Sequence, residues 1–134
     1  MKNLFTSILL IASLQVNAQF EKVSEPTIIG KNFHATVTQS EFNGEYLYVL
    51  SFRDYQYQHI VSYESFELDG LNTTYYWIME KLEARDKGTY EKRLINGETL
   101  TIRFSGNRVM FVLGDAYSFR MNKFHINTIF GQLR

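Results

Sequence analysis

The chain has 134 residues, with 14 Lys and Arg against 14 Asp and Glu, so its formal net charge is zero. No basic stripe or run breaks that balance, which argues against nucleic acid as a partner. It has no cysteine, which excludes disulfides, thiolate metal sites, a cysteine nucleophile and a lipidated N-terminal cysteine.

Residues 1–18, MKNLFTSILLIASLQVNA, carry one early cation, Lys2, then an apolar stretch that closes on Val16-Asn17-Ala18. This is the pattern of a cleavable secretory signal. It predicts an exported protein, periplasmic or extracellular. The longest unbroken apolar run, Ile8 to Ala12, falls far short of the ~20 residues that span a bilayer, so the mature chain is expected to have no transmembrane segment. Removing 18 of 134 residues leaves 116, over 19–134, which is one globular domain by length.

The leading segment, 19–32, mixes charges with the only proline, Pro26, and allows a short strand at Thr27 to Ile29. In FHATVTQ, 33–39, Phe33, Ala35 and Val37 alternate with His34, Thr36 and Thr38, the period of a half-buried strand. Asn43-Gly44 is a hairpin turn signal. After it, Tyr46, Tyr48, Leu50 and Phe52 share one face and Leu47, Val49 and Ser51 the other. Both faces read as apolar, which predicts a central strand covered on two sides. Arg53-Asp54 breaks the pattern, and 59–68 reads as a further strand.

A helix is predicted over about residues 73–86, capped by Asn72 or Thr73 and ended by Gly88. Its core stripe is Leu71, Tyr75, Ile78, Met79 and Leu82, with Trp77 almost opposite. Then come TYEKRLI and ETLTIRF around Asn96-Gly97, RVMFVL at 108–113, and YSFRM at 117–121 after Gly114-Asp115. Strict alternation in the last of these sets Phe119 and Met121 against Ser118 and Arg120. Arg120 then joins Arg103 on a polar outer face. The final segment predicts a short terminal helix. The fold expected is α+β: one curled antiparallel sheet of six or seven strands, up to a partial barrel, with the main helix after the third strand and a short C-terminal helix.

The catalytic traces that sequence can carry are missing: there is no G-x-S-x-G, Walker loop, G-x-G-x-x-G or H-E-x-x-H. His34, His59 and His125 lie far apart in sequence and read as residues of solvated faces. Glu67 and Asp69 share a strand face at roughly 6.6 Å, but Asp69 before Gly70 reads as a turn residue. No cofactor, metal site or catalytic residue is therefore predicted. The binding candidates are Trp77, as an aromatic anchor on the helix, and the rim Arg53, Tyr55, Tyr57 and His59. Arg103 and Arg120 add a place for an anion or a carboxylate-bearing glycan. The expected function is a small exported, non-catalytic module that binds an envelope glycan or a protein. The alternatives are a small hydrolase whose carboxylates or histidines are brought together only by the fold, or a carrier of apolar ligands in a hollow barrel.

Overall fold

Residues 25–57 and 60–132 are described by the computed structural model. The order along them is β1 (Thr27–Lys31), β2 (Ala35–Phe42), β3 (Glu45–Arg53), β4 (Tyr63–Leu68), α1 (Leu71–Glu83), β5 (Thr89–Arg93), β6 (Thr99–Phe104), β7 (Val109–Leu113), β8 (Ala116–Tyr117) and α2 (Lys123–Ile129). The expected signal segment lies outside the described residues.

The α+β class holds, with antiparallel pairing throughout. The single curled sheet does not. The strands form two four-stranded sheets, β1-β2-β3-β4 and β5-β6-β7-β8, and the main helix follows the fourth strand rather than the third. No ladder joins β4 to β5, so the sheet is not a closed barrel. Helix α1 connects these two strands. Trp77 of α1 packs edge-on against Tyr90 of β5 and Phe104 of β6, with ring centroids 5.3 and 5.5 Å away. A cleft lined by Phe66, Leu68 and Asp69 on one side and Tyr90 and Lys92 on the other separates β4 from β5, and the Asp69–Lys92 ion pair bridges it.

Local chemistry sets each hairpin. Asn43 and Gly44 both take positive φ, 52° and 78°, and join β2 to β3 by a two-residue turn between the paired Phe42 and Glu45. That conformation matches the right-handed twist of the strands, and Asn-Gly adopts it at little cost. At the β5–β6 tip, Leu94 donates to the Glu98 carbonyl, and Gly97, with φ of 90°, donates back to Leu94.

The sheets meet across Phe52 and Phe66 from the first and Phe111 from the second, with centroids 5.6 to 6.5 Å apart. Leu50 and Phe52 are buried, but on the other face Leu47 is exposed and Val49 and Ser51 are only half-buried, so β3 has one face on the core and not two. In α1, Ile78 and Leu82 are buried. Tyr75 turns to α2, packing on Phe130 and donating its hydroxyl to Asn127. The α1 N-cap is Gly70, without a side-chain bond, and Arg85 with φ of 53° follows the Ala84 C-cap. The helix therefore starts and stops earlier than its polar residues imply.

Helix α2 lies against β1 so closely that a Cβ on Gly30 would overlap the Thr128 and Ile129 carbonyls. Gly30→Ala is expected to destabilise the protein by about 3 kcal/mol, the upper end for overpacking, because backbone cannot step aside as a side chain can. Urea denaturation of the two proteins measures it; an unchanged midpoint would mean that α2 does not seat on β1.

Candidate functional site

At the end of β3 the chain turns on Asp54, a carboxylate only 3% exposed. Its Oδ1 accepts from the Gln56 amide at 3.0 Å and the Tyr117 amide at 3.3 Å, and its Oδ2 accepts from Gln56 Nε2 at 2.9 Å. Tyr55 donates its own amide to the Tyr117 carbonyl at 2.9 Å. These bonds tie the first sheet to β8 of the second and lay the Tyr55 ring beside Phe119, centroids 5.4 Å apart.

Beyond β8 the chain keeps irregular pairing with β7. Ser118 donates its amide to Phe111, and Met121 exchanges two bonds with Val109. Two residues, Phe119 and Arg120, thus oppose the single Met110, which is a β-bulge. Ser118 and Met121 are buried, and both Phe119 and Arg120 turn to one hollow. Alternation from the sequence had put them on opposite faces; the extra residue shifts the phase by one.

That hollow has a volume of about 520 Å³. Met110 and Phe119 contribute its apolar surface, Tyr55 and Tyr117 line it, and Arg103, Arg108 and Arg120 bring three guanidinium groups. Arg103 and Met110 are direct cross-strand partners. Arg53 stands beside the site, its guanidinium 5.2 Å from the Phe33 ring and 5.5 Å from the Tyr55 ring. The ion pairs among the described residues are Lys81–Asp86, Lys92–Asp69 and Lys123–Glu83. None of the four arginines has a carboxylate partner there, and no carboxylate lines the hollow.

Behind this wall two histidines meet. His34 stacks flat on Phe119, centroids 3.9 Å apart and planes 8° from parallel. Its Nδ1 is 2.6 Å from the Tyr55 hydroxyl, and the His125 ring sits edge-on to it at 5.5 Å. His125 also caps α2. Its Nδ1 accepts from the Asn122 amide while Asn122 Oδ1 accepts from the His125 amide, a reciprocal capping box. Burial lowers both imidazoles below their ordinary 6.5; His125 and Arg53 lower His34 further, and Arg108 does so for His125. In neutral His34 the tautomer sets the direction of this bond: bare Nδ1 accepts from the Tyr55 hydroxyl, and protonated Nδ1 donates to its oxygen.

Of the sequence candidates, Arg53 and Tyr55 come together here. Tyr57 is exposed on the following loop, and His59 lies outside the described residues. Trp77 is elsewhere and half-buried against the second sheet. It lines a separate cleft of about 370 Å³ with Phe66, Tyr90 and Leu100. Among the described residues its aromatic partners are Tyr90 and Phe104 of the second sheet. Asp69 is held by Lys92, and among the described residues no three His, Asp or Glu side chains gather as metal ligands would. The histidine pair, 91 positions apart in the chain, was not visible in the sequence; only the Asn122-x-x-His125 spacing of a cap hinted at one of its members. No protein-family model, curated protein or solved structure matches the chain.

Because both histidines titrate lower folded than unfolded, the unfolded chain takes up protons first as pH falls. Their contribution to stability is whole above about 6.5 and is lost as pH drops through the folded values. Urea midpoints are expected to fall between pH 8 and pH 5. His125→Gln keeps a capping-box acceptor and removes one titrating group, so its dependence should be shallower. A pH-independent midpoint in the parent would contradict the pairing.

Proposed function

We propose that this protein is a small exported, non-catalytic binding module and that its ligand is an anion. The observation that supports this reading is the convergence of Arg103, Arg108 and Arg120 on one hollow that no carboxylate lines. A guanidinium group remains charged at every relevant pH and presents a planar fork of donors. Three such residues around one hollow favour an occupant with negative charge. The signal-like pattern of residues 1–18 supports a place of work in the periplasm or outside the cell. The hydrophobic-carrier alternative required a closed, hollow barrel, and the two open sheets do not provide one.

One feature favours a second reading, a small hydrolase. His34, Tyr55 and His125 cluster behind the hollow, where a histidine–phenol pair could move a proton. Neither histidine is among the residues that line the hollow, which weighs against it.

Calorimetric titration of residues 19–134 with anionic and neutral oligosaccharides tests the proposal. Anions are expected to bind, with affinity that falls as salt rises. Arg103→Glu with Arg120→Glu should weaken binding by a factor of at least ~100, since charge reversal turns two attractions into repulsions. Absence of anion binding at millimolar concentration rejects the proposal, and chemical conversion of a bound anion, lost in His34→Ala, replaces it with the hydrolase.

A further inference from the structure

We infer that the ligand of the arginine hollow is an acidic sugar: a pyranose bearing a carboxylate, presented as part of an oligomer. This rests on the anion-binding reading and narrows it. Charge alone would need only the guanidinium groups. Here they surround an apolar and aromatic surface, with Phe119 and Met110 beside the rings of Tyr55 and Tyr117. Free phosphate or sulfate would leave that surface wet and unused. A sugar ring has one face of C–H groups, and the negative face of an aromatic ring attracts such hydrogens. A carboxylate on the same ring is planar and accepts two parallel bonds from an arginine fork.

The β-bulge makes the combination local. It turns Phe119 and Arg120, adjacent in the chain, onto one side opposite Met110, so one stacking surface and one guanidinium lie a residue apart. His34, flat against the rear of Phe119, fixes the plane of that ring. The volume of about 520 Å³ is in the range of pockets that take small organic ligands and is far more than one inorganic ion fills. Arg103, from β6, and Arg108, just before β7, stand ready for charges on neighbouring units. A polymer with one carboxylate per ring supplies them at regular intervals.

The test compares a short oligouronate with a neutral oligosaccharide of equal length, a sulfated one, inorganic phosphate and an oligodeoxynucleotide, each titrated at equal salt. Two variants accompany the parent protein. Tyr117→Ala removes a half-exposed ring but keeps the backbone bonds to Tyr55 and Asp54, which use only main-chain atoms of Tyr117. Arg120→Lys keeps the charge and loses the fork. The expected result is oligouronate binding at least tenfold tighter than that of any other ligand, weakened about tenfold by each variant. Equal binding of phosphate or sulfated sugar, with both variants unaffected, overturns the acidic-sugar inference and leaves the anion site standing. Tighter binding of the oligonucleotide also overturns it. No binding of any anion removes both.

Discussion

The junction at Asp54 is the interaction on which the rest depends. Ladder pairing within each four-stranded antiparallel sheet satisfies the backbone of its inner strands. What must be specified is how the two sheets meet. The aromatic contacts of Phe52, Phe66 and Phe111 supply attraction, but apolar attraction is not directional. Asp54 supplies direction. It is buried without a cation within ion-pair reach among the described residues, and a buried carboxylate is tolerated only where its oxygens find donors. Two of those donors come from Gln56, two residues on, and one from Tyr117 of the second sheet. Only one docking of the sheets brings the Tyr117 amide there, and that docking places Tyr55 against Phe119.

From this junction the site follows with little further design. Strand β8 is only two residues long, since past Tyr117 the chain bulges against β7. Regular alternation would have buried one of Phe119 and Arg120. The bulge buries Ser118 and Met121 instead and brings both remaining side chains to one hollow. Ser118 tolerates burial because its hydroxyl is fully engaged, accepting from the Phe111 amide and donating to the Phe119 carbonyl. A small hydroxyl at that position thus permits the irregularity, and the irregularity makes the site.

The turns were the most legible part of the sequence. Asn43-Gly44, Asn96-Gly97 and Gly114-Asp115 each sit where the sequence places a turn, because the left-handed conformation at a tight turn admits few residues. The partition into two sheets was not legible, since a strand of one large sheet and a strand of two smaller ones share the same alternation. Trp77 shows a related limit. A helical projection assumes one covered side, whereas α1 meets α2 through Tyr75 and the second sheet through Trp77. Arg53 and Tyr55 were read as a rim from the break in pattern at Arg53-Asp54. Their partners Phe119, His34 and His125 arrive from distant parts of the chain, by contacts that no local period encodes.

The zero net charge of the chain conceals a separation of charge that the fold creates. Several carboxylates are already engaged. Asp54 serves the sheet junction, Asp69 holds Lys92, and Glu83 faces Lys123. Asp86 accepts from Tyr90 and Gly88, bonds that hold its carboxyl below the usual range. Each of these acids lies away from the hollow or is consumed by its own neighbourhood. Over a distance of about 8 Å in physiological salt, exposed charges are screened from one another, so distant acids do little to neutralise a local group of arginines. The hollow therefore keeps its positive character although the molecule as a whole has none. A chain without net charge can carry a small cationic site, because net charge and local charge act over different length scales.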